Sequence, residues 1–377
     1  MRICSKCIMD ETISDITFDK NGICSYCYIY DELNKAFPQN NSHLKIIEKI
    51  KKTGKNKKYD CVVGISGGRD STYTLYLLKQ NGLNPLAVHF NDGFGNPIAG
   101  ENIQKAIKKT NTDLRTITSD WRESKDIKIS CLKASVPDLE IGTDLGIAAS
   151  LYSTAKKENI KYIITGTSFR TEGLAPLDWN YLDGKYLKSI NKKYGKVKLR
   201  KWKSDDAGFN LDLQQIIYYT IIKRIQMIPI LYYVDYNRVQ AENILVNEFD
   251  WVNTGAHYFD DLYQSLMTQI LRKKFNIDYR KFNYSALIRS NQMQRDEALN
   301  RTKKIYVVED PKVIDLCIKR LGLKKEDYFN FLDDKPKTFR DYDTNYNLIK
   351  LFKYPIKILS KLNFFHPATY YKFFGVN

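Results

Sequence analysis

Apolar and polar positions fall into short blocks along this chain. Four runs of strand length, Asp60–Ile65, Pro85–Phe90, Leu114–Thr118 and Tyr162–Thr165, are rich in aliphatic and β-branched residues. Runs this short predict strands packed inside a sheet. The stretches between them read as helices, with apolar positions such as Leu75, Leu77 and Leu78 turned to a core. Strand alternating with helix predicts an α/β fold built on a doubly wound parallel sheet. Ligands in such sheets bind at the carboxyl ends of the strands. Further helices are expected at Tyr28–Phe37, closed by Pro38, at the lysine-rich Leu44–Lys58, and at Leu145–Glu158, capped by Thr143 or Asp144. Leu211–Tyr233 is strongly apolar and interrupted at Pro229, which suits a buried helix followed by a strand. Asn237–Glu248, Val313–Arg320 and Lys325–Leu332 read as helices. The amphipathic stretch Leu348–Leu359 can bind a partner, but core packing is its simpler account.

The blocks divide the chain into residues 1–42, a cysteine knuckle and linker; 43–205, a nucleotide-binding α/β domain; and 206–377, a mainly helical substrate or partner domain with a basic C-terminal tail. At 377 residues there is room for more than one domain and a large core. The net charge of +17 points to anionic small substrates, an acidic partner or nucleic acid. No apolar run is long enough to span a membrane, and the N-terminus lacks the apolar core of a signal peptide. Seven cysteines, four of them in CxxC pairs, suit metal in a reducing cytosol better than disulfides, so a cytoplasmic protein is expected.

Cys4-x-x-Cys7, sixteen residues, then Cys24-x-x-Cys27 has the spacing of a four-thiolate zinc knuckle. A closed four-sulfur shell makes the Zn²⁺ structural. A pair of disulfides and an iron–sulfur cluster are the alternatives.

The chemistry centres on Cys61–Lys79, CVVGISGGRDSTYTLYLLK. Apolar strand, small-residue turn and helix N-terminus together make an anion cradle, where backbone N–H groups and the helix dipole favour negative charge. No Gly-Lys-Ser/Thr follows Gly64, so this is not a Walker A loop. Asp70 among the phosphate donors implies Mg²⁺, since a bare carboxylate would repel phosphate. The bland reading is an ordinary strand–turn–helix with a glycine pair. Ser66-Gly67-Gly68-Arg69-Asp70-Ser71 resembles the SGGxDS loop of PP-loop ATP pyrophosphatases. That resemblance implies cleavage of ATP between its α and β phosphates to adenylate a substrate oxygen. Ser66, Gly67, Gly68, Asp70 and Ser71 would bind ATP, with Ser66 and Asp70 also catalytic.

Two more strand ends supply candidates. In the resembling family the end matching His89 and Asn91 borders adenine or ribose. After the fourth run, Gly166 lets backbone approach a ligand beside Thr167, and Glu172 is placed to hold Mg²⁺ or substrate. Asp144 is either a helix cap or a second catalytic acid near the phosphates. Pro176–Trp202 reads as an irregular excursion rich in aromatics and lysines. Its Trp179, Tyr181 and Asp183 suit a sugar or nucleotide. His257 and Arg289 complete the substrate candidates.

The resemblance extends further. The CxxC pairs, SGGRDS, the VHF strand end, GTSFRTEG, DWNYLDGKYLKSI and KKFNIDYRKFNYSALIRSNQMQRDEAL occur in this order. Together they resemble the N-acetyl sugar amidotransferases of bacterial surface-glycan biosynthesis, most of all the pseudaminic acid branch of flagellin glycosylation. This implies conversion of a sugar's acetamido group to an acetamidino group, with ATP activating the amide oxygen and ammonia displacing it. Related enzymes of lipopolysaccharide pathways draw ammonia from glutaminase partners, and this chain shows no glutaminase of its own. Many relatives have His-Tyr-Glu-Ser where this chain has His257-Tyr258-Phe259-Asp260, and Ser-Gly-Gln where it has Ser290-Asn291-Gln292. The first departure leans toward a different sugar from the lipopolysaccharide one. A tRNA-modifying PP-loop enzyme, thiolating or forming lysidine, is the competing reading and a zinc-ribbon adaptor the non-enzymatic one. In the preferred reading no nucleic acid is bound.

Overall fold

The computed structural model describes residues 2–40, 42–200, 210–254 and 260–376. Five strands form one parallel sheet: β1 Val62–Gly64, β2 Leu86–Asn91, β3 Leu114–Thr118, β4 Tyr162–Thr165 and β5 Gln226–Pro229. Their spatial order is β3-β2-β1-β4-β5, with Val62 registered against both Leu86 and Ile163. The order therefore reverses between β1 and β4, which opens a crevice beyond their carboxyl ends.

Successive strand residues point to opposite faces, and both faces are covered. Val62 and Ile163 pack with Ile127, Leu145 and Leu187. Val63, Ile65 and Ile164 pack with Leu75, Leu78, Ile103 and Leu245. The helices behind these contacts, Arg69–Gln80 and Pro97–Thr110 on one face and Trp121–Ala134 and Ile141–Lys157 on the other, make the expected doubly wound architecture.

The four anticipated strands are present, and the fifth comes from beyond residue 205. There Leu213–Ile217 is helical, a π turn covers Tyr218–Ile222, and β5 ends at Pro229, which has no N–H to continue a ladder. β5 is an edge strand, and its outer side is met by the far C-terminus: Met227 N–H donates to the Asn363 carbonyl at 3.0 Å.

Three local expectations are corrected. The helix expected from Leu145 begins at Ile141, so Asp144 lies inside its first turn and caps nothing. The loop Pro176–Trp202 contains a regular helix, Gly184–Tyr194, capped by the Asp183 carboxylate accepting from Lys185 N–H. Leu348–Leu359 forms two short helices whose apolar side chains largely face water rather than the core.

Candidate active site

The loop after β1 can take its path only with glycine at position 67. Gly67 has φ +82°, and a Cβ there would lie 2.0 Å from the Ala99 carbonyl oxygen. Its own carbonyl is pinned by Trp251 Nε1–H at 3.0 Å and Asn102 Nδ2–H at 3.2 Å. Ser66 and Ser71 hydroxyls meet at 3.1 Å, and Ser71 Oγ also accepts from Ser66 N–H. Gly68, the N-cap of Arg69–Gln80, brings no side chain to cover the helix end. The turn thus presents the start of a helix to the crevice, as an anion cradle requires.

Asp70 is buried and held from two sides. Arg69 Nε–H donates to it at 3.0 Å, and the Tyr236 hydroxyl donates to the same oxygen. Arg69 also faces Glu242 at 3.7 Å. Gly166, at the end of β4, would place a Cβ 2.7 Å from the Asp70 backbone. Its small size serves the approach of two protein segments at the rim of the cavity.

A cavity of about 360 Å³ opens here, lined by Ser66, Gly68, Asp70, Ser71, His89, Asn91, Asp144, Gly166, Thr167 and Glu172. Residues from four separate stretches are thereby brought together. His89 Nδ1 sits 3.0 Å from the Ile65 carbonyl, so that nitrogen carries a proton and donates to it. Asn91 Oδ1 accepts from Gly93 N–H at 3.0 Å. Thr167 Oγ1 lies 3.3 Å from His366 Nε2, and Glu172 accepts from Ser168 N–H at 3.3 Å.

Several cavity residues were not marked by the sequence. Asp92, Glu140, Asp260 and Asp261 also line it. With Asp70, Asp144 and Glu172 they make a strongly acidic wall. Buried Lys128 stands behind it, 2.8 Å from both Asp92 and Glu140 and 4.1 Å from the Tyr263 ring centroid. Burial pushes Glu140 up to about 7 against the pull of Lys128. Burial also raises Asp92, but the Lys128 ammonium overrides it and holds that carboxyl below its usual range. Asp144 is pushed up to about 6 by burial, opposed by Lys372 and by a hydrogen bond from Asn180. Oxygens of Asp92, Glu140 and Asp261 lie within 4.8 Å of one another, close enough for one cation, but the Lys128 ammonium already serves Asp92 and Glu140.

The substrate candidates lie elsewhere. Trp179 and Tyr181 are in the core, Trp179 stacked on Tyr279 and Tyr181 on Phe339. Asp183 caps its helix and binds Asn345. His257 is outside the described residues. Arg289 faces the cysteines: its Nη2 lies 3.1 Å from Cys7 Sγ and its Nε 3.3 Å from Cys27 Sγ.

Cys4, Cys7, Cys24 and Cys27 converge as free, buried thiols. Sulfur separations are 3.8 Å for Cys4–Cys27 and 3.7 Å for Cys7–Cys24 and Cys24–Cys27, far beyond a disulfide bond. Four thiolates about 2.3 Å from one ion stand about 3.8 Å apart at the corners of a tetrahedron. The donor set fits zinc, and four thiolates also suit an iron–sulfur cluster. Backbone N–H groups of Lys6, Cys7 and Cys24 reach Cys4 Sγ at 3.3–3.4 Å.

Sheet order, glycine turn and helix end define an α/β protein with an anion cradle at the point where its parallel sheet reverses order. Residues 252–355 match the profile of the family described as LPS biosynthesis protein WbpG-like, C-terminal domain. An uncharacterized protein of Methanocaldococcus jannaschii, MJ1599, is 29% identical over 166 residues, which is 43% of this chain and 58% of that protein. The chain thus spans little more than half the length of that curated relative. Among solved structures, NH3-dependent NAD synthetase from Campylobacter jejuni is 17% identical, with 82% of this chain and 98% of that one covered at a TM-score of 0.30. NMN synthetase from Francisella tularensis is 12% identical, with 76% and 98% covered at 0.30. U34-tRNA thiolase NcsA from Methanococcus maripaludis, with its [4Fe-4S] cluster, is 14% identical, with 85% and 98% covered at 0.29. Among the described residues no helix is long and apolar enough to cross a membrane.

Proposed function

We propose that this chain is an ATP-dependent amidotransferase that converts the acetamido group of a surface-glycan sugar, pseudaminic acid or a relative, to an acetamidino group. One observation carries the reading. Asp260, Asp261 and Gln264 of the WbpG-like region line the same cavity as the SGGRDS loop. A glycan-biosynthesis domain and a nucleotide cradle thus share one chamber.

The amide oxygen attacks the α-phosphorus of ATP and pyrophosphate leaves. Ammonia then adds to the activated carbon, AMP departs with the former amide oxygen, and a proton is released. The backbone from Ser66 to Ser71 holds the departing phosphates. Mg²⁺, when bound, neutralises pyrophosphate charge. Asp70, oriented by Arg69 and Tyr236, is its ligand in this scheme. The acidic wall fits that role, because without a cation it would repel ATP. His89 and Asn91 border the adenosine. Asp144 helps hold the metal near the phosphates, Glu172 holds Mg²⁺ or the substrate, and the cysteine site holds zinc structurally. Cys61 and Cys131 are buried and their thiols are pushed up by burial, which suits neither for sulfur transfer. The protein works in the cytoplasm, and ammonia reaches it from a glutaminase partner.

The test incubates the protein with ATP, Mg²⁺, ammonium and an acetamido nonulosonic acid. The expected products are AMP, pyrophosphate and a cationic amidine about one mass unit lighter than the sugar. Glutamine should replace ammonium only with a partner present. Asp70→Asn should cut AMP formation by about a hundredfold or more. ADP as sole product, or a tRNA-dependent AMP release that leaves a modified nucleoside, would overturn the proposal.

A further inference from the structure

The amphipathic stretch Leu348–Leu359, with Leu362 just beyond it, leaves most of its apolar side chains outside the core. It folds as two short helices, Tyr346–Leu351 and Lys353–Lys361, and in the second only Ile356 and Ser360 are buried. Leu351 ends the first helix just before the break at Phe352, while Tyr354, Ile358 and Leu362 follow at spacings of four along the second helix and its C-cap and so share one face. They are 80%, 76%, 60% and 51% exposed. Phe352 and Leu348 widen the patch. Single exposed apolar residues are ordinary, but a contiguous row of large ones marks an interaction surface.

Charge decides what covers it. Lys350, Lys353, Lys357 and Lys361 each precede one of the four stripe residues by one position, so they form a second stripe along its edge. From Thr344 to Asn377 there is no aspartate or glutamate. The edge is therefore uniformly positive, the pattern of a basic amphipathic segment that lies on an anionic surface. An anionic bilayer meets both stripes at once: lysine ammoniums reach lipid phosphates while leucine, isoleucine and aromatic side chains sink to the acyl boundary. Tyr354 and Phe352 are residue types that settle at the headgroup level.

We infer that the face formed by Leu351, Tyr354, Ile358 and Leu362, with its lysine edge, docks the protein on the surface of an anionic membrane without crossing it. This goes beyond the amidotransferase reading and does not depend on it. The purified full chain is sedimented with vesicles of phosphatidylcholine alone or mixed with phosphatidylglycerol. It should partition onto the mixed vesicles, and added salt should weaken the binding. Replacing the four lysines with glutamine should weaken it by up to about a thousandfold at low salt. Combined Leu351→Glu, Tyr354→Glu and Ile358→Glu should abolish it while nucleotide binding stays unchanged, since these side chains face water. Equal binding to both vesicle types, binding that survives the triple variant, or no binding to either would overturn the inference. Self-association of the wild-type chain that the triple variant removes, with no vesicle binding, would assign the face to a second copy instead.

Discussion

Asp138 shows how far burial can move a single side chain here. It accepts hydrogen bonds from Tyr181 N–H and from the Tyr186 hydroxyl, the latter at 3.0 Å. Burial nevertheless dominates and pushes the carboxyl up to about 7. A free aspartate titrates near about 3.9. Between those two values the folded chain keeps a proton that the unfolded chain releases. Stability from this group is therefore full below the lower value and falls as pH rises through the window, by up to about 4 kcal/mol. Asp138→Asn has no such proton to lose. Urea denaturation at about pH 5 and about pH 8 should show the substitution costing more at the lower pH, by about 2–3 kcal/mol of that window. A cost that does not change with pH would mean the carboxyl is ionised throughout.

The N-terminal knuckle is tied to the helices Tyr279–Arg289 and Arg295–Lys303. Ile8 N–H donates to Ser285 Oγ at 3.2 Å, Lys281 pairs with Asp10 at 2.7 Å, and Arg295 donates to the Cys4 and Cys7 carbonyls at 3.0 Å. Arg289 delivers charge to the thiolates themselves. Burial works against its cationic form, but the Cys7, Cys27 and Cys24 sulfurs outweigh it, and its pKa is raised. Such a group orients metal ligands and offsets their excess negative charge. Arg289→Ala should weaken metal retention by about ten- to a hundredfold in a chelator competition, with Arg289→Lys partly restoring it. Unchanged metal content in both variants would reduce Arg289 to a packing role. The next residue carries the link onward, since Ser290 Oγ donates to the Arg170 carbonyl, in the loop that ends at Glu172.

At the scale of the molecule, the last residues close back on the sheet. Asn363 meets β5, His366 reaches Thr167, and Lys372 Nζ donates to Asn180 Oδ1 at 3.3 Å. His366 Nδ1 accepts from Ala368 N–H, so its proton sits on Nε2 and points at the Thr167 hydroxyl. Burial lowers His366 to about 4, which keeps it neutral. Asn180 stands between Lys372 and Asp144, so the far end of the chain helps place a cavity carboxylate. Lys372→Met should reduce AMP formation by about ten- to a hundredfold, with Lys372→Arg retaining most of it. Equal loss in both variants would point to a packing defect instead.

The sequence by itself determined the features written in local physics. Three apolar runs became buried parallel strands because burial on both faces needs continuous aliphatic residues, and Leu114–Thr118, where apolar and polar residues alternate, became an edge strand. The glycine turn became a cradle because only glycine tolerates the φ of residue 67. The CxxC spacing brought four sulfurs together because each pair spans a single turn. Tertiary structure decided the rest, because partners far apart in sequence leave no periodic trace. Tyr236 on Asp70 and Lys128 between Asp92 and Glu140 are such cases. Composition also cannot say which way an amphipathic segment faces. The aromatic stretch around Trp179 and Tyr181 carries side chains that suit sugar binding and core packing equally, and the sheet's covering layers drew it inward. Leu351 and Tyr354 belong to an equally apolar pattern, yet among the described residues no element covers them and they stay exposed. Arg289 has the charge of a substrate ligand, and the knuckle's thiolates, more than 260 residues away, are what it reaches.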